Sequence, residues 1–303
     1  MRVGVVVPCH HEKRWAGLTV AVGSALAQRP APAEVVVVVD HNEPLYQRAC
    51  RELSGVTVLR NGCPERGVSG NRNTGVFHLD TPVVALLDDD GYAHPGWLAG
   101  LTAPLADPAV CGTGGAIRPA WRSGRPGWVP DEFLWAWGGS YTGLPTTTAP
   151  VRNVWAGSMA VRRDVFAKVD GFRVGFGKVG DRSRPEDTDL CLRMTEASGG
   201  RWMYVPDALI DHPVPADKAT LRYFLIRCYN EGRGKVALAR LHRNPTSLHS
   251  ERAYLRRTLP AGVARGLGEA VRGRGAGAAR AAAILVGTAA AAYGGLVETA
   301  VVR

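Results

Sequence analysis

The sequence predicts an α/β fold in which a largely parallel sheet is flanked by helices and followed by a basic helical extension. Short apolar runs near the N-terminus lack alternation, and such runs are typical of strands buried on both faces of a sheet. Helical segments separate them at the spacing of strand-helix-strand units, which predicts a doubly wound sheet. Charge sets the extension apart: Lys218 to Arg280 holds 14 Lys and Arg against 3 Asp and Glu, while the rest holds 23 against 24.

The elements follow one another in a regular order. Each early strand is followed by a polar turn and a helix, as expected for connections that cross over a parallel sheet. The predicted strands are Arg2 to Pro8, Glu34 to Asp40, Val56 to Arg60, Val83 to Leu87, Val154 to Val161 and Trp202 to Ile210. The predicted helices are Leu18 to Ala27, Leu45 to Leu53, one ending near Leu79 and one beginning at Pro185.

Length and composition favour one catalytic domain with an appendage. We expect an α/β domain at 1–215 and a basic helical region at 216–303. The six cysteines contain no C-x-x-C pair, which argues against structural zinc or a disulfide scaffold. Val3 to Val7 is too short for the apolar core of a signal peptide. A reduced, cytoplasmic protein is the resulting expectation.

The basic region leads into an uncharged apolar segment, Ala281 to Val297. A cationic stretch beside such a segment favours an anionic membrane surface over nucleic acid as a partner. Seventeen residues lie at the lower limit for a spanning helix, so an interfacial or core-packed helix is preferred to a span. A plain solvated face remains the alternative for the cationic helix that begins near Leu221.

Three consecutive carboxylates, Asp88, Asp89 and Asp90, follow the strand that ends at Leu87. Strand alternation would place Asp88 and Asp90 on one face and Asp89 on the other. Carboxylates held so close repel each other unless a cation lies between them, and a hard divalent ion such as Mg2+ or Mn2+ suits oxygen ligands. A solvated acidic turn is the alternative interpretation.

Other polar groups are predicted at the same edge of the sheet. Glu12, Asp40 and the three aspartates all follow strand ends, and the carboxyl edge of an open α/β sheet is where ligands bind. The glycine-rich turn Gly67 to Gly75 enters a helix that carries Arg72, which suits an anion. Helix capping alone would also explain such a turn.

In this order and spacing the motifs resemble glycosyltransferase family 2, from Val3 to about Val205. The matching pieces are VVVP, Asp40, the G-x-x-x-x-R-N-x-G element from Gly67, LLDDD and PEDTDLCLR. The resemblance implies a GT-A nucleotide-sugar fold and an inverting sugar transfer from a nucleoside diphosphate sugar with one divalent metal. His41-Asn42 stands where many relatives carry a second Asp, which leaves the donor base open.

The resemblance also implies roles for particular residues. Asp40 would contact the nucleobase, Arg72 and Asn73 the nucleotide, and Asp88 the ribose side. Asp90 would bind the metal, with His212 as a further ligand unless it only caps a loop. The full implied donor set is Pro8, Glu12, Asp40, Arg72, Asn73, Asp88 and Asp89, with Gly157 and Ser158 leaving room for the donor sugar.

A second acidic motif begins the helix at Pro185. Asp189 lies four residues before Arg193 and can pair with it, whereas Asp187 shares the inward apolar face and has no such partner. An attacking hydroxyl must lose a proton, which makes Asp187 a candidate general base. The resemblance assigns this role to the pair Glu186 and Asp187, with Asp187 preferred. An acid that merely favours the helix dipole is the alternative.

Two segments could contact substrate. Tryptophans concentrate between residues 121 and 155, and Trp135, Trp137 and Trp155 could form an acceptor-binding wall or pin an irregular segment to the core. The loop from Gly171 to Pro185 could order over a diphosphate or stay solvated, and its basic residues are Arg173, Lys178, Arg182 and Arg184.

The preferred function is therefore a metal-dependent glycosyltransferase with a glycan, lipid-linked saccharide or small molecule as acceptor. A binding module of the same fold is the alternative, but pure binding would not need both Asp90 and Asp187. A nucleotidyltransferase would be expected to carry a basic glycine-rich loop after the first strand, where this chain has Cys9-His10-His11-Glu12.

Overall fold

The computed structural model describes residues 1–179, 182–242 and 252–301. It contains two compact units: the first combines Met1–Ile117 with Pro145–His212, and the second combines Arg118–Leu144 with Pro213–Arg303. The division at 215 stays a prediction. The compact units differ from it because residues 118–144 group with the C-terminal region.

Four parallel strands form one half of the sheet in the first unit. They are β1 (Val3–Cys9), β2 (Glu34–Val39), β3 (Thr57–Arg60) and β4 (Val83–Leu87), in the order β3-β2-β1-β4. Val5 in β1 lies opposite Val35 on one side and Ala85 on the other. All residues of β1 and β4 are buried, as the uninterrupted apolar runs predicted.

Helices α1 (Trp15–Leu26), α2 (Glu43–Glu52) and α3 (Val68–His78) connect these strands. The Asn42 side chain accepts a hydrogen bond from the Leu45 amide and so caps α2. Helix α3 lies directly on β1, because a Cβ at Gly75 would overlap the side chain of Val6. Glycine therefore permits the close packing of α3 against the sheet.

The rest of the first unit makes the sheet mixed. The further elements are β5 (Tyr92–Ala93), α4 (Trp97–Thr102), β6 (Val110–Trp121), β7 (Ala149–Val151), β8 (Ser158–Arg162), α5 (Arg163–Lys168), β9 (Gly177–Val179), β10 (Arg182–Arg184), α6 (Glu186–Ser198) and β11 (Arg201–Val214). In the described part of the chain the sheet continues as β4-β8-β6-β11-β5, with β7 beside β11, and β8 is antiparallel to both β4 and β6. The predicted α/β class is confirmed, and the first four strands pair in parallel, as predicted, before β8 reverses the direction.

Two predicted strand boundaries were wrong. Strand β8 begins at Ser158 rather than Val154, because a turn precedes it in which the Ser158 amide donates to the carbonyl of Trp155. Strand β11 continues to Val214 instead of ending at Ile210. Its extension has a partner in β5, where Asp211 lies opposite Tyr92.

The sheet separates two apolar cores, since neighbouring residues of each buried strand point to opposite faces. Val5, Val37 and Leu87 belong to one core, and Val6, Val36 and Leu86 belong to the other. Both faces are thus covered, and the carboxyl edge of the sheet is left to carry polar groups.

The second unit is helical in its C-terminal part, with α7 (Leu221–Leu241), a π-helical turn (Tyr254–Thr258), α8 (Leu259–Val271) and α9 (Gly275–Val301). A 3-10 helix, Asp131–Trp137, supplies Trp137 to its core. Trp137 is 2% exposed, stacks on Phe224 with ring centroids 5.6 Å apart, and donates Nε1–H to the Lys218 carbonyl. The ring is thus a core element here, and the predicted acceptor contact of Trp137 stays a prediction.

Trp135 is also engaged within the second unit. Its Nε1–H donates to the Tyr254 hydroxyl at 3.1 Å, and the ring packs beside Phe133. The tyrosine hydroxyl in turn donates to the carbonyl of Glu132. These contacts favour the alternative interpretation, in which the tryptophans pin an irregular segment to a core.

Helices α7 and α9 approach each other through small residues. A Cβ at Gly232 of α7 would overlap the carbonyl oxygen of Ala291, and a Cβ at Gly294 of α9 would overlap that of Tyr229. Such contacts bring helix backbones close together. Among the described residues, α9 is the one helix long and apolar enough to cross a membrane, judged by length and composition.

Candidate active site

The three aspartates lie in a turn rather than on an extended strand. Strand β4 ends at Leu87, and the Gly91 amide donates to the Asp88 carbonyl at 2.9 Å. The predicted alternation was therefore wrong beyond Leu87. Asp89 and Asp90 share the guanidinium of Arg14, whose Nη1 lies 2.5 Å from Asp89 Oδ1 and 3.2 Å from Asp90 Oδ2.

Arg14 was missed by the sequence analysis. It ends a 3-10 turn after β1, directly before α1, and is 38% exposed, whereas the Asp89 side chain is 4% exposed. Asp89 is thus a buried acid held by a cation from the neighbouring strand end. The contact of Asp89 with the donor nucleotide stays a prediction. Its ion pair with Arg14 fixes the position of both side chains.

His212 lies beside Asp90, with Nε2 3.5 Å from Asp90 Oδ1. The pairing of β11 with β5 brings it there, because Asp211 lies opposite Tyr92, two residues after Asp90. His212 Nδ1 is buried and has no hydrogen-bond partner in the described structure. The described residues contain no group of three or more His, Cys, Asp or Glu side chains arranged to hold a metal.

A second cluster is centred on Arg72, which extends from α3 and is 5% exposed. Its Nη2 lies 2.8 Å from Asp88 Oδ1, and its Nη1 lies 3.4 Å from Glu186 Oε1 and 3.7 Å from Asp187 Oδ1. One guanidinium therefore joins the first aspartate of the turn to both acids of α6. The predicted nucleotide contact of Arg72 stays a prediction, and in this structure its donors face carboxylates.

Unequal environments shift the pKa values of these acids in opposite directions. Burial raises the pKa of Asp88, but the charge and hydrogen bond of Arg72 outweigh burial and hold it below its usual value. Burial, followed by the neighbouring charge of Glu186, raises the pKa of Asp187 well above its usual value. Burial also raises the pKa of Glu186, with Arg72 offsetting part of the rise.

Helix α6 orients its acids as its sequence pattern predicted. Asp189 is fully buried and accepts a hydrogen bond from Arg193 Nε at 2.8 Å. Asp187 begins the face that continues through buried Leu190, Cys191 and Met194. Its Oδ1 is buried without a hydrogen-bond partner in the described structure and lies 3.7 Å from Arg72 Nη1.

Gly157 and Ser158, both predicted to leave room for the donor sugar, have different environments. A Cβ at Gly157 would lie 2.8 Å from Asp88 Oδ2, so glycine is needed for the aspartate to hold its position. Ser158 is 1% exposed, and its Oγ accepts a hydrogen bond from Trp97 Nε1 at 2.9 Å. Ser158 thus packs in the interior, and its predicted place beside the donor sugar stays a prediction.

Asp40 ties together the segments that follow β2 and β3. Its Oδ1 accepts from Asn61 Nδ2 and contacts His41 Nδ1, both at 2.7 Å, and its Oδ2 accepts from the Gly67 amide at 2.9 Å. His41 itself adopts a left-handed backbone conformation with φ of 47°. A nucleobase contact of Asp40 stays a prediction beside this structural role.

The side chains of two asparagines of α3 form hydrogen bonds with backbone groups of other segments. Both amide atoms of Asn73 are bonded to the backbone of Phe172 at 2.8 Å, and its predicted nucleotide contact stays a prediction. Asn71, which was missed, donates Nδ2–H to the carbonyls of Cys9 and Val38 and so joins the carboxyl ends of β1 and β2.

The remaining predicted contacts are spread around the first unit. Pro8 is buried within β1, Glu12 lies in an exposed turn, and Trp155 is half-buried against the core. Arg173 lies 3.5 Å from Asp189, and Arg184 lies over the ring of Phe176. The side chains of Lys178 and Arg182 are outside the described residues. Contacts of this group with substrate stay predictions.

Comparison with known proteins identifies the family of the chain. The family model described as "Glycosyl transferase family 2" matches residues 4–170. The chain belongs to glycosyltransferase family 2. It is 30% identical over 260 residues to the glucosyl-dolichyl phosphate glucuronosyltransferase of Haloferax volcanii, covering 84% of this chain and 82% of that protein. It is also similar to the succinoglycan biosynthesis protein ExoM of Rhizobium meliloti, 25% identical over 61% of this chain and 58% of that protein.

Solved structures support the same fold. The mannosyltransferase PcManGT of Pyrobaculum calidifontis, solved with GDP-Man and Mn2+, has a TM-score of 0.60 at 18% identity, over 99% of this chain and 86% of that one. GalNAc-T7, solved with UDP, GalNAc and Mn2+, has a TM-score of 0.54 at 19% identity, over 84% of this chain. The present chain spans 54% of the GalNAc-T7 chain. The protein is thus a family 2 glycosyltransferase with a GT-A fold.

Proposed function

We propose that this glycosyltransferase is inverting and metal-dependent, and that Asp187 is its general base. The observation that carries the proposal is the Arg72 cluster. Arg72 contacts Asp88, the acid assigned to the ribose side of the donor, and also Glu186 and Asp187 of α6. The acid on the donor side and the proposed base are therefore held by one buried cation, which keeps both close to the same part of the site.

Asp187 suits a base for three reasons. Its pKa is raised by burial and by Glu186, so the carboxylate is a stronger proton acceptor than an exposed aspartate. Its Oδ1 has no hydrogen-bond partner in the described structure. Arg72 stays charged beside it and stabilises the ionised form. The acceptor hydroxyl would lose its proton to this oxygen as its own oxygen attacks the sugar.

Asp90 and His212 fit a divalent metal, because a carboxylate and an imidazole are both usual ligands of Mn2+ and Asp90 Oδ1 lies 3.5 Å from His212 Nε2. With two protein ligands, the remaining positions would be filled by diphosphate oxygens or water. When bound, the metal would neutralise charge on the departing diphosphate. Arg14 holds the other oxygen of Asp90 and thereby orients it.

We place the reaction at the cytoplasmic face of a membrane, with the protein bound peripherally and a lipid-linked saccharide or growing glycan as acceptor. Two observations support this placement. The Haloferax relative is named for a dolichyl phosphate-linked substrate. Helix α9 is apolar over the length of a membrane-associated helix. A small-molecule acceptor would fit the same catalytic chemistry.

A donor panel tests the proposal without a known acceptor. Nucleotide release is measured from UDP-, GDP- and dTDP-sugars, each with and without Mn2+ or Mg2+, for the wild type and for Asp90→Ala. We expect slow hydrolysis of one donor, only with metal and only when Asp90 is present. Metal-independent hydrolysis, or an unaffected variant, would contradict the metal assignment. Donor binding without turnover would indicate that the acceptor is required.

Asp187→Asn tests the base separately. The variant should bind donor and metal normally, as measured by calorimetry, and lose transfer by about 10²–10⁴-fold, the usual contribution of general-base catalysis. Near-normal transfer in a folded variant would exclude Asp187 as the base. Glu186→Gln serves as the comparison, because the same loss in that variant alone would assign the role to Glu186.

A further inference from the structure

We propose that the outer faces of α8 and α9 form one apolar surface that lies in the plane of an anionic bilayer. The proposal rests on the membrane placement proposed above and names the surface that makes the contact. The hairpin α8–α9 is defined here as residues 259–301, all within the second unit.

The outward side of α9 is apolar along nearly its whole length. Leu285 is 59% exposed, Tyr293 63% and Leu296 69%, at the three- and four-residue spacing of one helix face. The other exposed residues from 278 to 296 are Ala278, Ala279, Ala282, Val286, Ala289 and Ala292. At 1.5 Å per residue this stripe is roughly 30 Å long. Soluble proteins rarely leave an apolar strip of that length to water.

The two charged residues of α9 are directed inward. Arg280 pairs with Glu269 of α8 and donates to the Gly127 carbonyl. Glu298 pairs with Arg233 of α7 at 2.8 Å. Both charges are therefore satisfied by neighbours in the second unit. The charged residues of α9 thus form ion pairs on its inner side, and its outer stripe carries no charge. This arrangement is expected for a helix that contacts lipid on one side.

Helix α8 extends the surface. Leu267 is 53% exposed and Val271 is 89% exposed, one helical turn apart. The two helices are in direct contact, since a Cβ at Gly266 would lie 2.7 Å from the carbonyl oxygen of Gly277. Their exposed apolar residues thus belong to one continuous hairpin.

Cations flank this apolar surface at both ends of α8. Arg256 and Arg257 are exposed directly before it, and Arg272 and Arg274 are exposed in the turn between the helices. Arginines beside an apolar helix face complement the negative headgroups of anionic lipids. The charge complementarity identifies an anionic bilayer as the occupant, in preference to a neutral apolar partner.

The packing of α7 argues for an in-plane position rather than a span. Helix α7 lies against α9 through Gly232 and Gly294, and it carries Arg227, Glu231, Arg233, Lys235 and Arg240. A bilayer crossed by α9 would take these charges into the hydrocarbon with it, which is costly. With only the outer stripe immersed, the charges of α7 stay at the polar side.

Vesicle flotation of the full chain tests the surface. Preformed vesicles of phosphatidylcholine, with or without phosphatidylglycerol, are mixed with the wild type and with Leu285→Asp and Leu296→Asp. We expect binding that needs phosphatidylglycerol, and a loss of at least about tenfold in partitioning for each variant, equivalent to about 1.4 kcal/mol. Val20→Asp is the matched control, because Val20 is 51% exposed on α1 of the first unit.

Three outcomes would overturn the proposal. If Leu285→Asp binds vesicles as well as the wild type does, the outer stripe of α9 is not the contact surface. If the wild type does not bind vesicles, an anionic bilayer is not the partner of this surface. A wild type that is dimeric by gel filtration, and becomes monomeric in Leu285→Asp without binding vesicles, would assign the face to a second copy. Donor hydrolysis is assayed in the same samples. A variant that hydrolyses donor but no longer binds vesicles tests the membrane surface alone, and a protein that binds vesicles without hydrolysing donor would contradict only the proposed catalysis.

Discussion

Replacing Arg72 by Met removes a buried cation that the structure places among three carboxylates. Arg72 is 5% exposed and lies 2.8, 3.4 and 3.7 Å from Asp88, Glu186 and Asp187. Methionine fills part of the same volume without charge, so the variant isolates the electrostatic role. The carboxylates would then face one another with no counter-charge from this position, which is unfavourable in a buried site.

The expected loss in free energy of unfolding is about 3–5 kcal/mol at pH 8, the usual cost of leaving a buried charge uncompensated. Without Arg72 the pKa values of the three acids rise above those of the unfolded chain. Acids with a raised pKa stabilise the folded chain when protonated and lose this contribution as pH rises. The deficit relative to wild type should therefore shrink as pH is lowered from 8 to 5.

Urea unfolding at pH 5 and pH 8, in metal-free buffer, measures the difference in free energy of unfolding between Arg72→Met and the wild type. Arg162→Met is the matched control, because Arg162 donates to the carbonyls of Leu105, Asp107 and Val110. Its deficit should be similar at pH 5 and pH 8. A deficit for Arg72→Met below about 1 kcal/mol, or one that does not depend on pH, would refute the electrostatic account and leave only packing.

Three further changes test single contacts. Gly157→Ala places a Cβ 2.8 Å from Asp88 Oδ2, so the KM for donor should rise about tenfold, while Gly23→Ala, with nothing within 4 Å of its Cβ, should leave KM unchanged. Because burial and the charge of Glu186 raise the pKa of Asp187, kcat/KM should fall on the acid side at a pH above the ordinary pKa of an aspartate, and an acid limb at or below that ordinary pKa would contradict its role. Trp137→Ala should lose about 3–5 kcal/mol of unfolding free energy in urea, and a loss under about 1 kcal/mol would mean that the ring is not a core element.

The elements that sequence predicted well are those fixed by local pattern. The five residues of β4 were predicted from Val83 to Leu87 without error, because an apolar run bounded by Pro82 and Gly91 is too short for a helix. The i, i+4 pair of Asp189 and Arg193 likewise follows from helix geometry alone. Both features depend only on neighbours along the chain.

The contacts that sequence missed depend on partners distant in the chain. Arg14 lies 75 residues before Asp89, and only the arrangement of β1 beside β4 brings them together. His212 was predicted to follow a strand, but lies within β11 because β5 pairs with that strand beyond Ile210. Because Arg14 directly precedes a helix that follows the first strand, it could have been noted as a candidate cation for the aspartates after β4.

Burial is the other property that the sequence left open. The family resemblance assigned Ser158 to the donor sugar, and residue type assigned Trp137 to the acceptor. Both side chains are at most 2% exposed. A serine between small residues can face a cavity or pack against an indole. Here the Ser158 hydroxyl accepts a hydrogen bond from the indole of Trp97. Residue type identifies what a side chain can bind, whereas its depth decides whether a substrate can reach it.

The glycine contacts of α7 with α9 fix a rotation as well as a distance. A Cβ at Gly287 would overlap the ring of Phe224 on α7, as one at Gly294 would overlap the Tyr229 carbonyl. Each residue of a helix advances about 100° around its axis, so the positions of Gly287 and Gly294 decide where Leu285 and Leu296 point. One inserted residue after Gly287 would leave the composition of α9 almost unchanged, yet rotate the remaining part of the helix, about four turns, by about 100°. Leu296 would then leave the outer stripe, and the phase of the helix, rather than its hydropathy, would decide whether the surface exists.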